Sequence, residues 1–151
     1  MAERWGWLVR YVVVIVLAVV LALALGEMEL FKSTRFGRSG LNAARLVQFL
    51  GFGGALVVFW LLARRAAALI PADERWNIVK TILVPLATLV VIAAGQAVLL
   101  LLLGPPMSKG WHEAYNWTFI AAIILSAGWL VFSLFTGSSS LAPLFGAPRK
   151  R

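Results

Sequence analysis

Cysteine is missing from the chain, which excludes disulfide frameworks, thiolate metal sites and cysteine nucleophiles. Histidine is represented by His112 alone, and six Asp and Glu stand against fourteen Lys and Arg. Charged residues of both signs make up 13% of the chain and hydrophobic residues 62%, whereas soluble domains carry about 25% charge. The sequence lacks the polar surface that a water-solvated fold needs.

The chain is rich instead in long apolar blocks. They are uninterrupted rather than amphipathic, and a block of about 18 residues or more crosses the hydrocarbon core of a bilayer as a helix. Four can be read: YVVVIVLAVVLALAL, which extends back past Arg10 if that side chain snorkels; Leu46 to Ala63, whose main polar residue is Gln48; Thr81 to Leu103; and Trp117 to Phe135. The expected spans are about 7–25, 43–63, 80–103 and 116–136. The alternating segments of roughly ten residues that a transmembrane β-barrel requires are not found. The sequence predicts an all-α membrane protein, one domain over residues 1–151, with four transmembrane helices in an up-down bundle. Arg4, Arg10, the first apolar run and Ala22-Leu23-Ala24 imitate a secretory signal peptide. An uncleaved anchor is the preferred reading, because its removal would leave three spans.

The net charge is +8 and the isoelectric point about 11.2, but the cations are scattered at helix ends. That pattern fits anionic lipid head groups and not nucleic acid. Nine Lys and Arg fall on the side that holds the termini and the middle loop, and five on the other. The positive-inside bias thus places both termini in the cytoplasm, with the chain in the plasma (inner) membrane. Ser39 is the candidate N-cap of the second span, Pro71 to Glu74 form a turn that opens the third, and the tail ends in the basic cluster Arg149, Lys150, Arg151.

Apolar contact does not drive helix association in lipid, so small residues and interhelical hydrogen bonds must do more. Small-residue pairs at helical spacing are Ala18, Ala22 and Gly26; Gly51 and Ala55; Ala93 and Ala97; Ala122 and Ser126. Thr81, Pro85, Thr88, Gly95 and Gln96 share one arc of the third span, and Asn42, Arg45 and Gln48 form a stripe on the second. Pro85 is a candidate kink, with Thr81 or Thr88 placed to satisfy the carbonyl it frees. Gln48 and Gln96 both lie roughly 10 Å below the outer boundary at about 1.5 Å of rise per residue, and are expected to pair. With Arg45, Asn116 and Thr118 they outline a candidate outward-facing polar cavity for an anionic group.

The stretch GPPMSKGWHEAYNW, residues 104–117, raises the question of catalysis. A metal site there would have to combine His112 and Glu113 with Glu27 and Glu29 from the first loop, a set that matches no metal motif. Neither a paired haem ligation nor a serine triad can be assembled, since Ser138 to Ser140 are expected on the opposite side from His112. Trp111, Tyr115 and Trp117 read better as an aromatic belt, with Glu113 favouring the helix start. Bound pigments or quinones leave no signature in apolar helices, so cofactors stay open. The leading expectation is a non-enzymatic membrane subunit that packs on a larger membrane assembly or on copies of itself. The alternatives are a transport or channel component built on the Arg45 cavity, and a lipid-acting enzyme at His112.

Overall fold

The computed structural model describes residues 2–38, 40–71 and 73–138, with side chains for 5–38, 40–71, 73 and 76–137. The expectations placed on Ser39, on the side chains of Arg4, Glu74 and Ser138, and on the basic tail lie outside the described residues. The elements in chain order are α1 (Ala2–Glu27), a short α2 (Glu29–Ser33), β1 (Arg35–Phe36), β2 (Leu41–Asn42), α3 (Ala43–Leu69), α4 (Glu74–Leu103) and α5 (Lys109–Ser138). Among the described residues, four helices are long and apolar enough to cross a membrane: Trp5–Glu27, Ala43–Leu69, Trp76–Leu103 and Lys109–Gly137. The protein is a helical, multi-pass membrane protein.

Helix ends run past the apolar blocks that announced them. The run in α3 is broken by Arg64 and Arg65, yet the helix continues through three alanines to Leu69, because Arg and Ala are good helix formers wherever the solvent boundary lies. α5 likewise begins at Lys109, well before residue 116. Its first turn therefore holds no acid, and Glu113 lies too deep in the helix for the end-effect expected of it, which fades within the first turn.

A small hairpin precedes α3. Arg35 pairs with Asn42 and Phe36 with Leu41 in antiparallel register, and the turn uses Gly37 and Gly40 at φ of 60° and 69°, where a Cβ would be strained. The hairpin delivers Asn42 to the cap of α3. The Asn42 side-chain oxygen accepts from the Arg45 backbone N–H at 3.0 Å, and the Ala43 N–H is taken by the Thr34 carbonyl at 2.9 Å, so two of the orphan donors at this helix end are satisfied.

Each long helix packs on the next: α1 on α3, α3 on α4, α4 on α5. Among the described residues, non-consecutive long helices share at most marginal contact. The geometry of α3 explains this row. Gln48 and Gly51 face α1, whereas Gly53 and Trp60 face α4; Gly51 and Trp60 are nine residues apart, about two and a half turns, and so lie on opposite sides of the helix.

The buried side chains are small. The buried apolar ones are alanines 22, 44, 55, 63, 67 and 87, joined by Ser126 and Ser133, and no large side chain is fully buried among the described residues. At the α1–α3 crossing, a Cβ added to Gly51 would run into the Ala22 methyl and lie 2.9 Å from the Ala18 carbonyl oxygen. The two backbones touch there only because α3 has no side chain at that point. On α4, Ala93 and Ala97 are exposed, and Ala87 and Pro85 take the positions buried within the chain. In an alanine-rich helix the small-residue spacing fits several faces, and the seam selects one. On α5, Ala122 is half-buried and Ser126 buried, and the line continues through Ser133 to Gly137, which lies 3.7 Å from Ile78 on α4 at its would-be Cβ.

α4 is unbroken through Pro85. The Thr81 hydroxyl donates to the Asn77 carbonyl and the Thr88 hydroxyl to the Val84 carbonyl, both at 2.8 Å. Neither reaches the Thr81 carbonyl that Pro85 leaves without its usual donor, which corrects the expected rescue. Thr88 has a different use, accepting from the Trp60 indole N–H at 3.2 Å across the α3–α4 seam.

Reversible unfolding in detergent, followed by SDS titration, measures what these seams contribute. Gly51→Val, which must push α1 off α3, is expected to cost about 1–3 kcal/mol. Trp60→Phe, which deletes one interhelical donor and keeps an aromatic ring, is expected to cost about 0.6 kcal/mol and no more than about 1.7; the loss should vanish in a Thr88→Val background.

Candidate functional site

At the end of the row that carries the hairpin, the residues expected to form a polar cavity are dispersed. Arg45 is exposed beyond its cap. Gln48 is half-buried and turned toward α1, where its side chain fills the space that a Cβ on Gly26 would need. The side chain of Gln96 is half-buried, and its backbone carbonyl accepts from the Tyr115 hydroxyl of α5 at 2.7 Å. The Gln48 side chain is thus taken up at the α1–α3 seam, and no hydrogen bond joins the two amides. Asn116 is half-buried, and Thr118 is exposed with its hydroxyl returned to the Ala114 carbonyl at 2.8 Å.

The metal constellation considered from the sequence is not assembled either. Among the described residues no group of three or more His, Asp or Glu side chains converges. His112, Glu113 and Glu29 are exposed, and Glu27 is engaged with the Lys32 ammonium at 2.6 Å. Beside them, Leu103, Pro106, Met107, Trp111, Tyr115 and Thr118 line an open groove of about 460 Å³ at the α4–α5 hairpin. Its floor is apolar, and Tyr115 packs on Phe119 with 4.7 Å between ring centroids.

The other end of the row holds a cluster that the linear sequence did not announce. Trp7 and Tyr11, one turn apart on α1, meet edge to face at 6.1 Å between centroids. The Arg65 guanidinium of α3 lies over both rings, 5.4 Å from Trp7 and 5.8 Å from Tyr11, close enough for cation–π attraction. Arg64, on the α4 side, lies 4.9 Å over Trp60. A shallow groove of about 260 Å³ between α1 and α3 is lined by Arg10, Tyr11, Val14 and Val58. The usable signal in the sequence was the Trp7–Tyr11 spacing combined with Arg65 at the far end of the next span.

The middle of the row has two apolar grooves. One, of about 360 Å³, runs between α1 and α4 over α3 and is lined by Ile15, Val19, Phe52, Phe59, Val90 and their neighbours. The other, of about 430 Å³, lies on the α3–α4 pair and contains three glycines, Gly53, Gly54 and Gly95. A Cβ on Gly54 or Gly95 would meet nothing within 4 Å. These two glycines are therefore not needed for the contacts inside the chain.

The described residues combine apolar clefts, aromatic rings and cations at the helix ends. This chemistry suits docking against hydrocarbon, against another membrane helix, or against an anion at the membrane boundary. No protein-family model, no curated protein and no solved structure matches the chain.

Proposed function

We propose that the chain is a small, non-enzymatic integral membrane subunit that packs through a broad face of its helix row against a larger membrane protein or against copies of itself. The observation that carries this reading is the groove at Gly53, Gly54 and Gly95. Glycine lets helix backbones approach closely within a membrane, and it costs a helix about 1 kcal/mol per residue relative to alanine. Gly54 and Gly95, with open space where a side chain would begin, fit a contact that lies outside the chain. The up-down path, with both termini in the cytoplasm of the plasma (inner) membrane, belongs to the same reading and rests on the excess of Lys and Arg on that side.

The polar-cavity reading for transport has lost its central pair, since Gln48 faces α1. The lipid-acting enzyme would rest on His112 and Glu113, both exposed, and no metal-binding group of three or more His, Asp or Glu side chains is found among the described residues.

Isolation from the native membrane in mild detergent, followed by native mass spectrometry, tests the proposal. The expected result is a stable complex with another polypeptide or with further copies. Gly54→Leu should leave helix content and unfolding midpoint close to those of the parent, because the side chain enters open space, and should weaken that association by tenfold or more, roughly the worth of 1.4 kcal/mol. A monodisperse monomer would overturn the proposal.

A further inference from the structure

We propose that the groove between α1 and α3 at Arg10, Tyr11, Val14 and Val58 binds one anionic phospholipid, with its acyl chain along the aliphatic floor and its phosphate held by Arg10 and Arg65. Val14 and Val58 supply a hydrocarbon floor, and Arg10 stands at its wall. Tyr11 belongs both to this wall and to the aromatic pair beneath Arg65, so the second guanidinium is fixed beside the same groove. Arg65 points the same way round α3 as Val58, since seven residues are close to two full turns.

Among the described residues no ion pair compensates the charge at this end of the row. Among the described residues the one ion pair is Lys32–Glu27, at the opposite end. Arg10 and Arg65 are exposed, and no described carboxylate neutralises them. Arg65 lies over the Trp7 and Tyr11 rings, an arrangement that leaves the guanidinium edge with donors for a phosphate oxygen pair. Trp7 and Tyr11 have the amphipathic character of residues at head-group depth, and Arg10 can lay its stem along lipid with its head at the boundary. A basic pocket between transmembrane helices at that depth suits an anionic head group. The floor selects a phospholipid over a soluble phosphate, because a free ion would leave Val14 and Val58 unoccupied.

The test is native mass spectrometry of the full chain in detergent, titrated with an equimolar mixture of phosphatidylglycerol and phosphatidylcholine. One phosphatidylglycerol should be retained in preference to phosphatidylcholine. The Arg10→Gln/Arg65→Gln double variant should reduce that preference about thirtyfold, roughly fivefold for each cation removed. Arg64→Gln, which removes a cation at the same end but stacked on Trp60 toward α4, should leave it within twofold. Val58→Trp keeps both guanidiniums and fills the floor, and should abolish retention with helix content unchanged; this variant is decisive if the double variant fails to fold. Excess inorganic phosphate should leave the bound lipid in place. Unchanged preference in the double variant, an equal loss in Arg64→Gln, retention by Val58→Trp, or full displacement by phosphate would each overturn the proposal.

Discussion

In hydrocarbon a polypeptide backbone finds no hydrogen-bonding solvent, so each span must satisfy its own amides, and helices follow. The same medium removes the usual reason for helices to associate, since lipid tails are as apolar as leucine. What remains is contact at van der Waals distance, which grows with how closely two backbones can approach. The α1–α3 crossing shows this constraint in its simplest form. Ala22 fills the space above Gly51, and Ala22 is buried to 1% relative exposure while large residues on either side face outward. Elsewhere, too, the buried seams are made from alanine, serine, glycine and one proline. The large apolar side chains solvate the protein in its membrane and do not build a core.

Among the described residues each seam also carries a side-chain interaction between its helices. At the α1–α3 seam it is Arg65 over Trp7 and Tyr11, at α3–α4 the Trp60 indole to Thr88, and at α4–α5 the Tyr115 hydroxyl to the Gln96 carbonyl. All three use an aromatic residue, which spans the gap between helix axes and brings a polar or cationic partner with little rotamer entropy to lose.

The spans were legible in the sequence because charge inside a bilayer is costly, and a stretch of some twenty residues without it is what a crossing of the hydrocarbon core demands. Helix termini were less legible. The bilayer boundary and the helix boundary are set by different physics, so α3 continues past Arg64 and Arg65 and α5 begins before the apolar run. The direction of the candidate site's side chains was not legible. Rise per residue placed Gln48 and Gln96 at one level, but which way each side chain turns depends on which helix lies beside it, and Gln48 turns toward α1 at Gly26. The hairpin was missed although Gly37 and Gly40 mark its turn, because two-residue strands carry no hydropathy period. Arg65 and Trp7 are far apart in sequence, and only the packing of α1 on α3 unites them.

A row of helices cannot shelter a polar interior as a closed bundle can. Four helices around a common axis enclose a core, and a path for ions or solutes can run along it. In a row where α1 meets α3, α3 meets α4 and α4 meets α5, the inner helices have two faces open and the outer ones more, so every non-seam position meets whatever surrounds the protein. Polar groups at such positions would be costly in lipid, and here the hydroxyls of Thr81, Thr88 and Thr118 are returned to carbonyls of their own helices. A subunit that contributes surfaces needs no interior: its open faces are available to a neighbouring helix at the glycines of α3 and α4, and to a lipid at the arginines of α1 and α3. The two grooves lie on different seams, one between α1 and α3 and the other on α3 and α4.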